Sequence, residues 1–120
     1  MPSTILCVDD NQLALHARKL VLESAGHQVQ TAVTATAANE LISTRPFDLA
    51  IVDYYLEGIS GDELAAALKS SRPGIAVILL SGADGLDLDH VDSFVHKGDG
   101  PKALLKEVER LVKEAQGTPA

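Results

Sequence analysis

One apolar run that stops on a carboxylate constrains the fold of this chain more than any other stretch. Phe47–Asp53 contains four consecutive aliphatic residues, two of them the β-branched Ile51 and Val52, directly before Asp53. Such a run is typical of a strand that is buried on both faces of a parallel sheet. Ligands of open α/β sheets bind outside the carboxyl ends of the strands. Asp53 therefore predicts a site at that edge.

Apolar, strand-like segments alternate with helix-like segments along the whole chain. Five strands are predicted, at Thr4–Val8, Gln28–Val33, Phe47–Asp53, Ile75–Leu80 and Ser93–His96. Four helices are predicted: one capped by Asn11, one over about Thr36–Ser43, one opened by the capping box Ser60–Glu63, and one opened by Pro101. The alternation predicts a parallel sheet with right-handed crossovers and helices on both of its faces.

The first helix is predicted from its apolar spacing. After Asn11, small and apolar residues recur at three- and four-residue spacing: Leu13, Ala17, Leu20, Val21 and Ser24 or Ala25.

The connection between the last two strands is short. Only twelve residues separate Leu80 from Ser93, which is near the minimum for a crossover that contains a helix. Gly82 and Gly85 also disfavour a helix in this interval. We therefore expect the helix between Ala83 and Val91 to be shortened or missing.

Composition and charge narrow the class of protein. With 120 residues, 46% hydrophobic and 3% aromatic, residues 1–120 are expected to form one domain with an aliphatic core over about 4–115. The net charge of −7 argues against direct nucleic-acid binding, because phosphate contacts need clustered Lys and Arg. A signal sequence and a membrane-spanning stretch are both missing from the sequence, which predicts a cytoplasmic protein without membrane insertion.

Polar residues end four of the five predicted strands. They are Asp9 and Asp10 after the first strand, Asp53 at the third, Ser81 at the fourth and Lys97 at the fifth. The carboxyl ends of parallel strands meet at one edge, so we expect these side chains to lie together. Three carboxylates cannot share a low-dielectric pocket without a cation, and an oxygen-only ligand set suits Mg²⁺.

This constellation predicts a phosphorylation site rather than a proton-transfer site. A carboxylate beside a divalent cation is a good nucleophile toward a phosphoryl group, because the cation neutralises oxygens on both partners. Lys97 would pair with one phosphoryl oxygen and the Ser81 hydroxyl would donate to another. Asp53 is the expected phosphoacceptor.

The order of these residues resembles the receiver domain of two-component response regulators. The resemblance covers essentially the whole chain, from Thr4 to about Ala115. Four segments carry it: Ile5–Asn11, similar to the family's acidic-pair strand; Leu49–Asp53 with Gly58 and Gly61, similar to its phosphoacceptor strand and loop; Leu79–Gly82, similar to its hydroxyl-bearing strand end; and Phe94–Lys97, similar to the strand with a switch aromatic three residues before a lysine.

The resemblance implies a fold and a reaction. The fold is a flavodoxin-like, doubly wound sheet with strand order 2-1-3-4-5. The reaction is transfer of a phosphoryl group to Asp53 from a sensor histidine kinase or a phosphotransfer protein. Such a domain catalyses only its own phosphorylation and dephosphorylation, and is not otherwise an enzyme.

The resemblance also implies individual roles. Asp10, Asp53 and the backbone carbonyl of Tyr55 would hold Mg²⁺, with Asp9 acting through a water molecule. Ser81 and Phe94 would form a switch pair that changes conformation on phosphorylation and so controls a partner protein or a phosphorelay step.

Other functions fit less well or remain open. A haloacid-dehalogenase-like phosphatase needs a general acid two residues after its nucleophile, where this chain has Tyr55. A flavodoxin-like flavin carrier needs a phosphate loop after its first strand, where Asp9 and Asp10 would repel phosphate. A degenerate receiver that serves only as a docking module stays open, as does a receiver fragment of a hybrid kinase or larger regulator.

One departure from the family pattern concerns the lysine loop. The family usually has proline after its lysine, whereas this chain has Gly98. A rigid, often cis, peptide bond is therefore not assumed at this point, and Lys97 is expected to be held more loosely.

Overall fold

The computed structural model describes residues 3–82 and 90–116. The helices and the strands of the main sheet are, in chain order, β1 (Thr4–Val8), α1 (Gln12–Ser24), β2 (Gln28–Ala32), α2 (Ala35–Thr44), β3 (Leu49–Asp53), α3 (Gly61–Ser71), β4 (Ala76–Ser81), β5 (Ser93–His96) and α4 (Gly100–Gln116). A short hairpin, Tyr55–Leu56 with Ile59–Ser60, lies between β3 and α3, and a 3-10 turn, Lys97–Asp99, joins β5 to α4.

The five main strands form one parallel sheet in the order β2-β1-β3-β4-β5. All five residues of β3 are buried, as expected for the strand at the centre of the sheet. This is the flavodoxin-like α/β fold, and the predicted order 2-1-3-4-5 is confirmed. The helix predicted to be shortened or missing between Ala83 and Val91 falls mainly on residues 83–89, which lie outside the described residues.

Side chains alternate between the two faces of the sheet and build two apolar clusters. Ile5 and Cys7 of β1 pack with α1 and α4, whereas Leu6 and Val8 of the same strand pack with α2 and α3. The period of two in a strand is the cause, because successive side chains point to opposite faces. Helices therefore cover both faces, as predicted.

The helix predicted after Asn11 is present, and its buried face is not the one that carries Leu13 and Leu20. Leu13 is 84% exposed and Leu20 is 54% exposed, whereas Leu15 and Leu22 are buried against the sheet. The leucines of α1 form two stripes that both have helical spacing, and periodicity alone does not choose between them. The buried stripe is the one that also carries Arg18, whose side chain is only 11% exposed.

The start of α3 follows its sequence signal. The Ser60 hydroxyl accepts a hydrogen bond from the Glu63 backbone N–H at 3.1 Å, and a Glu63 carboxylate oxygen accepts one from the Ser60 N–H at 3.4 Å. This capping box satisfies backbone donors that the first turn of a helix leaves unpaired. It fixes where the chain enters α3 after the hairpin that follows β3.

Candidate functional site

Three carboxylates meet at the carboxyl edge of the sheet. Asp53 is the last residue of β3, and Asp9 and Asp10 directly follow the neighbouring strand β1. One oxygen from each of the three carboxylates lies within 4.8 Å of the others. Asp9 is 1% exposed and Asp53 is 5% exposed, whereas Asp10 is exposed. The structure thus brings together the acidic residues that the sequence places at two different strand ends.

Asp53 has an ion-pair partner but one under-satisfied oxygen. Lys97 Nζ lies 3.1 Å from Asp53 Oδ1, which makes an ion pair by distance. Among the described residues this buried oxygen has no other partner. Burial is the main cause of a raised pKa at Asp53; Lys97 opposes the shift, Asp9 adds to it, and the backbone N–H of Tyr55 opposes it weakly.

Asp9 is paired with a cation from α1. The Nη1 and Nη2 atoms of Arg18 both lie 3.3 Å from Asp9 Oδ2, and the backbone N–H of Asn11 donates to Asp9 Oδ1 at 2.9 Å. Arg18 was not predicted as a site residue. Its position carries a signal, because Arg18 lies three residues after Leu15 and four before Leu22, on the buried stripe of the helix that follows the acidic pair.

A close backbone approach sets the loop after β3. The Gly61 N–H donates to the Tyr54 carbonyl oxygen at 2.7 Å, and the Tyr54 N–H donates to Leu80 O at 2.9 Å. A Cβ built on Gly61 would lie 2.5 Å from the carbonyl oxygen of Asp53. Only glycine fits at this point, so Gly61 lets α3 begin directly beside the peptide group of Asp53.

The two residues expected to form a switch lie on neighbouring strands. Ser81 ends β4 and is fully buried, and Phe94 lies on β5 and is partly exposed. Phe94 pairs with Leu79 and His96 pairs with Ser81 in the parallel register. Val95 belongs to the cluster that packs with α1 and α4, so Phe94 points toward the opposite face.

The loop that carries Lys97 is held by a histidine. His96 Nδ1 accepts a hydrogen bond from the Gly98 backbone N–H at 3.0 Å and caps the 3-10 turn. A proline at position 98 would have no N–H to donate. The hydrogen bond from Gly98 to His96 therefore restrains the lysine loop at the place where the family usually has a proline. This restraint was not predicted from the sequence.

The aromatic residue after the acceptor strand lies at the surface. Tyr55 opens the hairpin and is 59% exposed, with its ring edge-to-face against the ring of Tyr54 at a centroid distance of 5.0 Å.

The donor set fits a hard divalent cation. Three carboxylates share one edge with two cationic side chains, Lys97 and Arg18, so one negative charge remains uncompensated. The under-satisfied Asp53 oxygen and the raised pKa of Asp53 both point to a missing positive charge at this place. Carboxylate oxygens are the ligands that Mg²⁺ prefers in proteins.

Comparison with known sequences identifies the family. The response regulator receiver domain family matches residues 5–110. This chain belongs to the response regulator receiver domains. Its family acts in two-component signalling, where receiver domains are phosphorylated by histidine kinases and bind Mg²⁺ in an acidic pocket.

Curated relatives are longer than the matched region. PhoP of Salmonella typhimurium, a virulence transcriptional regulatory protein, is 35% identical over 81 residues, which is 68% of this chain and 36% of PhoP. The photosynthetic apparatus regulatory protein RegA of Rhodovulum sulfidophilum is 32% identical over 79 residues, 66% of this chain and 43% of RegA. The chain thus spans less than half the length of these relatives.

Solved structures share the whole fold. A CheY-like receiver domain protein from Methanospirillum hungatei superposes with a TM-score of 0.90, 28% identity and 98% coverage of both chains. TrrA from Thermotoga maritima, solved in complex with Mg²⁺-BeF, superposes with a TM-score of 0.84 and 27% identity over 91% of this chain and 98% of TrrA.

Within the described residues, no helix is both long and apolar enough to cross a membrane.

Proposed function

We propose that this receiver domain accepts a phosphoryl group on Asp53, in a Mg²⁺-dependent reaction, from a sensor histidine kinase or a phosphotransfer protein in the cytoplasm. The phosphorylated domain then controls a partner protein or passes the group on in a phosphorelay. One observation supports the proposal most directly: Asp53 Oδ1 is buried, lacks a hydrogen bond among the described residues, and lies 3.1 Å from Lys97 Nζ.

The reaction is a displacement at phosphorus by the Asp53 carboxylate. A new O–P bond forms to Asp53 while the N–P bond of a phosphohistidine donor breaks, and the electron pair of that bond returns to the imidazole nitrogen. With acetyl phosphate, the O–P bond of the donor breaks and acetate leaves. The carboxylate must be deprotonated to attack, so Lys97, which lowers the pKa of Asp53 against the effect of burial, helps to keep it reactive.

Mg²⁺ would be held by Asp10, Asp53 and the backbone carbonyl of Tyr55, with Asp9 contributing through a water molecule. When bound, the ion supplies charge neutralisation between the carboxylates and the incoming phosphoryl oxygens. Arg18 already compensates Asp9 at 3.3 Å. Lys97 lies 3.1 Å from Asp53, so among the described residues Asp10 is the carboxylate of the cluster without an ion-pair partner.

Ser81 and Phe94 would convert phosphorylation into a change of surface. The Ser81 hydroxyl ends the strand next to β3 and would donate a hydrogen bond to a phosphoryl oxygen. Its movement would open space for the Phe94 ring to turn inward from its partly exposed position. The phosphoryl group then biases a two-state equilibrium of the domain.

Two exposed leucines support a protein donor at this edge. Leu13 is 84% exposed and Leu20 is 54% exposed, and seven residues of helix place them on the same side of α1. The helix begins two residues after Asp10, so the patch borders the acidic cluster. Exposed leucines at such spacing suit contact with an apolar helix face of another protein.

The proposal is tested by labelling with acetyl phosphate, with and without Mg²⁺, followed by a phosphate-affinity gel and peptide mapping. Wild type should be labelled on Asp53 only when Mg²⁺ is present, Asp53→Asn should not be labelled, and the exposed control Asp99→Asn should behave as wild type. Equal labelling of Asp53→Asn, or no labelling of wild type under any condition, would contradict the proposal. The second outcome would favour the docking module instead.

A further inference from the structure

A cavity beside the acidic cluster lies between α1 and the start of α4. Its volume is about 310 Å³, and it lies on the face of the sheet where α1 and α4 pack. This is the space that about ten water molecules occupy in the liquid. It is lined by Ala14, Ala17, Arg18, Val21, Leu80, Val95, His96, Lys97, Gly100, Pro101 and Leu104. Pockets of several hundred cubic ångströms with a largely apolar lining are the usual places for small ligands in proteins.

Small residues on both walls create the space. Ala14 and Ala17 of α1 have short side chains, and the facing wall begins at Gly100, which has none. The segment that turns from β5 into α4 is Lys97-Gly98-Asp99-Gly100, in which no apolar side chain is available to fill the gap. Ala17 and Lys97 are exposed, so the cavity opens to solvent on one side.

The chemistry of the lining selects an anion with an apolar body. Most of the lining is aliphatic, and its polar side chains are those of Arg18, His96 and Lys97. No carboxylate lines the cavity, but Arg18 and Lys97 also pair with Asp9 and Asp53 beside it. The positive end of the α4 dipole also faces this space, because α4 begins at Gly100. The whole chain carries a net charge of −7, so attraction of an anion must come from these local groups.

We propose that this cavity binds a small organic carboxylate, with a flat or branched apolar body of roughly ten to fifteen non-hydrogen atoms. The apolar body fills the space beside Ala17, Val21 and Leu104, and the carboxylate pairs with Arg18 and Lys97. The guanidinium of Arg18 has five N–H donors, and within the described residues only two hydrogen bonds are made, both to Asp9. Donors therefore remain for a ligand.

The cavity and the acidic cluster share their cations. Arg18 pairs with Asp9 at 3.3 Å and Lys97 pairs with Asp53 at 3.1 Å. A divalent cation at the cluster would neutralise both carboxylates and release Arg18 and Lys97 toward the cavity. The ligand and Mg²⁺ therefore bind with positive coupling, and by linkage each raises the affinity of the other by the same factor. This coupling, unlike binding itself, rests on the proposed function.

The experiment is an NMR titration with 2-naphthoate and its neutral counterpart 2-naphthylmethanol. In wild type, 2-naphthoate should shift the methyl signals of Ala17, Val21 and Leu104 and bind at least about tenfold more tightly than the alcohol. Ala17→Leu fills the cavity and should abolish binding of both. Arg18→Met should weaken 2-naphthoate about tenfold and leave the alcohol unchanged. Ala66→Leu on α3, across the sheet, is the matched control and should bind as wild type.

Three outcomes overturn the proposal: equal affinity for the acid and the alcohol, unchanged binding by Ala17→Leu, or failure of both probes to shift the three methyl signals. Repeating the wild-type titration with Mg²⁺ tests the coupling, and 2-naphthoate should then bind about threefold to tenfold more tightly while the alcohol does not change. If 2-naphthoate binds without Mg²⁺ and Mg²⁺ itself does not bind, the proposed function fails while the cavity assignment stands.

Discussion

Lys97 Nζ lies 3.1 Å from Oδ1 of Asp53, although Asp53 ends β3 and Lys97 directly follows β5, with β4 between these two strands. The Lys97 side chain is 41% exposed. A lysine ammonium is a compact point charge on a flexible stem, so it can pair first with the carboxylate and then with a phosphoryl oxygen.

Lys97→Met should slow labelling by acetyl phosphate about tenfold or more, because the charge that develops on the phosphoryl oxygens loses a nearby cation. The pKa of Asp53 should also rise further, since Lys97 is the main influence that lowers it. Lys102→Met removes the same charge from an exposed position in the first turn of α4 and should label at the wild-type rate. Time courses of acetyl phosphate labelling at saturating Mg²⁺ measure the rates of both variants. Equal rates for the two variants would remove Lys97 from the mechanism.

Asp53→Asn should stabilise the protein in the absence of Mg²⁺, because burial disfavours the charged carboxylate. With a raised pKa, the folded state binds more protons than the unfolded state between about pH 4, the unfolded value, and the folded value. Stability of wild type therefore falls as the pH rises through that window. At neutral pH the variant should be the more stable of the two proteins, and the difference should shrink as the pH falls toward about 4.

Comparing wild type with Asp53→Asn removes the contributions of other titrating groups from the pH dependence of stability. Burial lowers the pKa of His27, whose Nδ1 accepts a hydrogen bond from the Ser3 N–H at 3.1 Å, and this group makes stability rise with pH. His27 is present in both proteins, so its contribution to the pH dependence cancels when their free energies of unfolding are subtracted. Thermal unfolding at several pH values supplies the curves. Mg²⁺ should stabilise wild type and reverse the order. An Asn variant that is less stable at neutral pH would refute the burial argument.

The sheet and the meeting of its strand ends could be predicted from sequence because both depend on short-range signals. Leu49–Val52 is uniformly aliphatic, and Asp53 follows it without a break, so strand identity and strand end are fixed by adjacent residues. The position of Asp9 beside β3 then follows from the parallel pairing of β1 with β3. No long-range geometry beyond the strand order is needed.

The rotation of a helix about its own axis and the volume left between packed elements could not be predicted in the same way. Leu13 and Leu15 belong to stripes of equal periodicity, and the choice between them is made by packing on the sheet. The ion pair of Arg18 with Asp9 follows from that choice and was missed with it. The cavity beside Ala17 depends on side chains that are absent from both walls, which no periodic pattern records.

Ser81→Ala should still be phosphorylated, but phosphorylation should shift its conformational equilibrium less than it shifts that of wild type. A hydrogen bond to a charged phosphoryl group contributes about 1.5 to 3 kcal/mol, so its loss should reduce the active-to-inactive ratio by roughly tenfold to a hundredfold. NMR of the Phe94 ring with beryllofluoride, a mimic of the phosphoryl group, reports this ratio. Ser71→Ala, exposed at the end of α3, is the control. If Phe94 responded alike in the two variants, Ser81 and Phe94 would not be coupled.

Gly61→Ala should reduce both the stability of the fold and the rate of labelling. The cause is a steric clash of the added methyl group, since the Gly61 backbone is not in the left-handed region. The added Cβ would lie 2.5 Å from the carbonyl oxygen of Asp53 and 2.7 Å from Tyr54 Cα, which are backbone atoms that cannot turn away. Overpacking of this kind should destabilise the protein by roughly 2 to 4 kcal/mol. The end of β3 must shift to relieve it, so the rate of labelling on Asp53 should fall as well.

Gly74→Ala separates this effect from the general cost of replacing a glycine. A Cβ at Gly74 would meet no atom within 4 Å, and its backbone is not in the left-handed region. The substitution should therefore change the free energy of unfolding by less than about 1 kcal/mol, on the stabilising side, because it restricts the unfolded chain. Urea denaturation compares the two variants, and acetyl phosphate labelling under folded conditions compares their sites. If Gly61→Ala unfolded and labelled like Gly74→Ala, the close approach of α3 to the Asp53 peptide would not hold the acceptor in place.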